Sequence, residues 1–255
     1  MSLEQSISDL TTQAGLLLDL PQEIADAAEA QILRVGNEYT SRIADYRKTV
    51  YVNQATGDDT NDGTAANPVK SLSQALDLTP PGGICWALLQ SAYVVNEDVF
   101  VDDRVLYVSS ESTTRHSFSF ERYLDDSGNT TYRALRRLRL AYRSAVYFNK
   151  LTIMISGDEA PYTAYPAGFQ SCPVAPQSHA YASAPIISFT NCDINIPASP
   201  FGSLIGHGGI PLILKMSSIT WLDQPPEGLL FLDLTNIVGT DVNTVPWLIS
   251  NLTTV

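Results

Sequence analysis

Charge is what this sequence has least of. Only 16% of its 255 residues are Asp, Glu, Lys or Arg, against about a quarter in ordinary soluble domains. Bases are the scarcer sign, with 15 Lys and Arg against 27 acids and a net charge of −12. A pI near 4.5 excludes nonspecific adhesion to nucleic acid or to anionic membrane. Cysteine is scarce as well: Cys85, Cys172 and Cys192 lie far apart and form no CxxC pair or Cys/His cluster. That excludes a disulfide scaffold and a zinc site, and leaves buried free thiols in a protein folded in a reducing cytosol as the expectation. Long apolar runs are missing too. The Ile210 to Leu214 run is far too short to span a bilayer, so no membrane insertion is expected. The opening Ser2-Leu3-Glu4 has neither the basic region nor the apolar core of a signal peptide, and none is expected.

What remains is 44% hydrophobic, enough for a folded protein rather than a disordered one. Its charges divide the chain into three regions. Residues 144–255 hold only Lys150 and Lys215 as bases against seven acids, and their Ile, Leu, Thr, Ser and Asn content reads as strand-rich and extensively packed. Residues 51–143 carry both signs. Residues 1–48 have helical periodicity. Leu3, Ile7, Leu10, Ala14 and Leu17 follow 4-3-4-3 spacing, and Ser2 with Gln5 fits a capping box. Pro21 suits the first turn of a second helix, with Glu23 and Asp26 at its positive end. Ile24, Ala28, Ile32, Val35, Tyr39, Ile43 and Tyr46 continue an apolar stripe. Such a stripe packs on its own domain, on copies of itself, or on a larger assembly. Neither helix sustains three heptads, which argues against a long autonomous coiled coil.

After the helices comes a short β-rich run, Thr49 to Asn53, then a loop from Gly57 to Gly63. Asn67-Pro68 precedes a short helix with Leu72, Ala75 and Leu76 on one face. Pro80-Pro81-Gly82-Gly83 stops it, and Ile84 to Leu89 reads as a buried strand. This succession resembles the start of pectate-lyase-like right-handed β-helices, an arrangement common in bacteriophage tail fibres and tailspikes. The opening MSLEQSISDLTTQ is similar to the helical start of many phage fibre proteins. The resemblance covers residues 49–110 and implies a small helix capping the open end of a β-solenoid, where a bare strand edge would invite aggregation.

Downstream, similar units recur at Phe148–Ile153, Phe189–Ile194, Met216–Thr220, Leu234–Val238 and Ile249–Thr253. Each sets Asn or Ser at a bend beside an apolar residue, as a coil turning between strands requires. Their irregular spacing leaves a β-sandwich as the competing fold. The expected architecture is mainly β: a short right-handed β-helix over 49–255, preceded by N-terminal α-helices over 1–48, and homotrimeric by the same resemblance. Residues 157–185, rich in proline, alanine and tyrosine, break the pattern and are expected to form a long insertion loop contacting a neighbouring subunit.

Sites are few. The Gly57–Gly63 loop fails the calcium-loop pattern at two ligand positions, so Asx-stabilised turns are expected in place of a metal site. Arg133, Arg136, Arg137, Arg139 and Arg143 form the one basic stripe. Guanidinium groups suit phosphate or acidic glycan, but on so acidic a chain pairing with acids of a neighbouring subunit or partner is the expectation. No G-x-S-x-G elbow is present, and His116, His179 and His207 sit in unremarkable contexts. Asp98, Asp102, Asp103, Asp193, Asp223 and Asp233 could serve glycan hydrolysis only in facing pairs, which the sequence does not identify.

The function expected from the resemblance is a phage virion structural protein, a tail fibre or spike component assembled in the host cytoplasm. Leu3, Ile7, Leu10, Leu17, Ile24, Ile32, Val35 and Tyr39 would dock or oligomerise it. Its partners would be copies of itself, other tail, baseplate or capsid proteins, and host surface glycan, with no nucleic acid. No catalytic residue and no cofactor is expected. A capsid head fibre and a polysaccharide-degrading tailspike are the alternatives.

Overall fold

The computed structural model describes residues 5–13, 28–35, 46–124, 132–155, 163–164, 172–176, 184–197, 203–206, 211–222 and 248–250. The chain divides into two units, Met1–Asp45 and Tyr46–Val255. Within the first, residues 5–13 and 28–35 are helical. The second is mainly β.

Its principal sheet has seven strands in the order β1 (Arg47–Val52), β2 (Ile84–Leu89), β5 (Val105–Ser110), β10 (Ala145–Asn149), β14 (Ile186–Thr190), β16 (Leu212–Ser217) and β18 (Leu248–Ser250). A second sheet runs β17 (Thr220–Trp221), β15 (Asp193–Asn195), β11 (Leu151–Met154), β6 (His116–Phe120) and β3 (Tyr93–Val95). A third joins β13 (Val174–Pro176), β9 (Leu138–Leu140) and β4 (Val99–Val101). All their ladders are parallel. From β2 the chain passes through β3 and β4 before returning as β5, and from β10 through β11 and β13 before returning as β14. Each return therefore lays one more strand on the long sheet.

The returns are uneven because one side carries additions. A small sheet of β12 (Thr163–Ala164), β8 (Tyr132–Leu135) and β7 (Arg122–Leu124) includes the antiparallel pair β7–β8. The expected loop over 157–185 is therefore not one loop. Val174–Pro176 pairs with Leu138–Leu140, and Cys172 and Val174 are fully buried. Pro173 and Pro176 flank this short strand at its ends, where a missing N–H does least harm.

Local sequence explains the corners. Lys150, Asn191 and Ser218 adopt positive φ just after β10, β14 and β16, so the chain turns into the second sheet at the same point of successive returns. These bends fall within three of the repeated units; in the first the residue is Lys150 rather than Asn149. Asp103 and Arg143 do the same on the way back to β5 and β10. The inner positions alternate as a half-buried strand should. Leu106, Val146, Ile187 and Leu214 share one inward row, and all are inaccessible. Phe148 stacks on Phe189 at 5.0 Å between ring centroids and meets Phe118 edge-on at 5.5 Å.

The exposed end of this core at β1 is closed by the helix Leu72–Asp77. Ser71 caps it, its hydroxyl accepting the Gln74 N–H at 3.1 Å. Leu72, Ala75 and Leu76 face inward as the sequence predicts. The Leu72 N–H donates to the Tyr93 hydroxyl at 2.9 Å, which anchors the helix start to β3. Gly57 and Gly63 shape the preceding loop. A Cβ on Gly57 would lie against the Val69 carbonyl and within 2.6 Å of that of Asn53, while Gly63 holds φ +76°.

Candidate functional site

Three surfaces of the chain bear on function. In the N-terminal unit, Ile7, Leu10, Ile32 and Val35 are all exposed, from 50% to 71%. Leu3, Leu17, Ile24 and Tyr39 lie outside the described residues. Where it is described, the apolar stripe is exposed.

The arginine stripe lies along β8, β9 and the turn after them. Three of its arginines meet acids of the same chain. Asp98 receives both Arg137 at 3.5 Å and Arg139 at 3.6 Å, and Asp103 lies 3.6 Å from Arg143. Aromatic rings take the remaining faces: Arg136 stands 3.9 Å over Tyr123 and Arg139 4.9 Å over Phe100. Arg137 is 7% exposed, so its pairing with Asp98 keeps a buried cation compensated. Arg133 sits in β8, in register with Leu124 and Ala164. Arg136, Arg137, Arg139 and Arg143 thus meet acids and rings brought near by the returning chain.

The same folding engages the acids considered for hydrolysis. Asp193 is held by Arg115, while Asp98 and Asp103 have the arginines above. Asp102 is exposed, and Asp223 and Asp233 lie outside the described residues. His116 opens β6; His179 and His207 are outside the described residues. In the glycine-rich loop, Asp58 and Asp62 each accept a backbone N–H, from Thr60 at 2.8 Å and Thr64 at 3.1 Å. These hydrogen bonds hold both carboxyls below the usual range. Asp59 accepts from Lys70 and Ser71, tying the loop to the helix cap. Among the described residues no three His, Cys, Asp or Glu side chains are grouped to hold a metal. None of the described helices is long and apolar enough to cross a membrane. All three cysteines are buried, and burial pushes the Cys85 thiol up to about 11.

The third surface, the outer face of the long sheet, is absent from the sequence reading. Ile84, Val105, Ala145, Ile186 and Ile213 form one outward row by register. Beside it, Trp86, Tyr107 and Tyr147 form a ladder of stacked rings, 5.1 and 4.3 Å apart, with the Arg47 guanidinium 4.5 Å over Trp86. Burial and the neighbouring Tyr107 raise the Tyr147 hydroxyl pKa. The row continues through Ser188 and Lys215 to a groove of about 420 Å³ whose lining includes Ser188, Thr190, Ile213, Leu214, Lys215 and Met216. A signal was present in the sequence: each of ICWALL, VLYVSS and AVYFN carries its ring at the third strand position. No protein-family model, curated protein or solved structure matches this chain.

Proposed function

We propose that this chain is a structural component of a bacteriophage virion, a tail fibre or spike protein. On this reading the parallel sheets are the walls of a short right-handed β-helix, and three chains assemble into a rod. The N-terminal helices dock the rod to the particle, and the β body projects for host attachment or carries further fibre parts. The observation that carries the reading is the parallel ladder of seven strands, closed at β1 by a helix, in a chain whose described N-terminal apolar residues are exposed. A stack of this kind gains stiffness because each strand contacts only its neighbours along one axis. The described candidate acids other than Asp102 are held by arginines, which favours a mechanical role over glycan cleavage.

Antibody raised against the purified chain tests this on fractionated particles. Label on isolated tails supports the fibre reading. Label on capsids alone moves the protein to the head, as a fibre of the same architecture. Particles without label on either fraction overturn the virion assignment.

A further inference from the structure

We propose that the outer face of the long sheet is where copies of this chain meet, three around a common axis. The inference rests on the trimeric reading above and assigns its contact face.

Composition comes first. Parallel sheets are ordinarily covered on both faces. Here one face holds the core, while Ile84, Val105, Ile186 and Ile213 stand half-buried on the other. Charge comes second. The outward positions of β1, β2, β5, β10, β14 and β16 include no carboxylate, in a chain with 27 acids. Their cations are Arg47, lying over Trp86, and Lys215. Two cations are too few to grip a polyanion, whose binding scales with the number of contacts. An acid-free face can instead be desolvated against another chain of net charge −12 without bringing carboxylates together.

Period and size select a copy over an unrelated surface. Strands repeat every ~4.8 Å, so a second copy aligned in parallel presents the same corrugation along the whole ladder. Seven strands at that spacing and about five residues of width give a footprint of roughly 29 by 17 Å, or about 500 Å². A patch of about that area matches the largest on ordinary monomers, and such patches are often functional. Three walls ~17 Å wide around a threefold axis stand about 5 Å from it, half the usual ~10 Å spacing of packed sheets. The Trp86–Tyr107–Tyr147 ladder lies in the middle row and would line that axis. So would Lys215, and three ammonium groups would then face one another at one end.

Light scattering on the full-length chain tests the assignment. The expected wild-type mass is three times the 27.8 kDa of one chain. Tyr107→Glu should reduce it to one chain with the far-UV β signal retained. Thr190→Lys places a charge on the same face at a half-buried hydroxyl, outside the ring ladder, and should do likewise. Phe100→Glu, on the outer side of β4, should leave the trimer intact. Lys215→Met should make the trimer harder to dissociate on dilution. Folded Thr190→Lys protein that keeps the trimer mass overturns this face while leaving the trimeric reading standing. A trimer lost in Phe100→Glu but kept in Thr190→Lys moves the contact to the third sheet and overturns it too. A wild-type monomer or dimer overturns both.

Discussion

The two units of this chain use the same raw material and end in opposite states. Both are built on a regular apolar period, three to four residues in the first and two in the second. In Tyr46–Val255 the period closes on itself: Leu106, Val146, Ile187 and Leu214 are inaccessible because each return of the chain supplies the next row. In Met1–Asp45 the described apolar residues are exposed by half or more. A strand ladder makes its own partner by repetition. A short amphipathic helix does not, and its stripe needs a surface from elsewhere. The described core therefore belongs to the β unit.

Breaking the ladder at its aromatic centre should have the largest effect. Phe148 is 1% exposed and contacts both Phe118 and Phe189. Phe148→Ala should cost about 3–5 kcal/mol, read as a lowered urea midpoint of the β unit. Next comes Gly57→Ala, whose Cβ would meet backbone carbonyls rather than a side chain able to swing away. Loss of about 2 kcal/mol is expected, at the level of overpacked sites, and the same melt measures it. Ser71→Ala removes one cap from the closing helix and should cost about 1 kcal/mol.

Acid sharpens the comparison further. Asp58 and Asp62 have lowered pKa values in the folded chain through their hydrogen bonds to Thr60 and Thr64. A depressed carboxyl stabilises above its unfolded pKa and loses that contribution as pH falls through the folded value. Both groups start from 3.8, so the window lies at and below about pH 4. Melting temperature should fall as pH is lowered below about 4. The double variant Asp58→Asn with Asp62→Asn should show a shallower fall, measured by circular dichroism.

How much of this was legible follows from sequence distance. The closing helix, its buried face and β2 are local features, and the residues that make them are neighbours in sequence. The bends at Asn191 and Ser218 were legible because Asn and Ser favour such turns. Lys150 does not advertise its positive φ, and the asparagine beside it misdirects by one residue. What the sequence concealed is non-local. Arg137 and Asp98 are 39 residues apart, and only the register of β9 on β4 places them together. Trp86, Tyr107 and Tyr147 each look like an isolated aromatic until the unequal returns are aligned. The small added sheet of β7, β8 and β12 takes up part of the irregular length, so the long sheet stays in register while the sequence period does not.

The smallest expected effect is the one that bears most directly on the two units. Leu10→Ser with Ile32→Ser removes two large side chains that are 70% and 71% exposed. Substitutions at such positions usually stay within about 0.5 kcal/mol, so the β unit should melt as before. If these residues dock the chain, the same variant should lose its attachment to particles, scored by immunolabelling against wild type. A lowered melting temperature would mean that the stripe packs on this chain's own β unit after all, and the division between a self-sufficient ladder and a partner-seeking helix would fail.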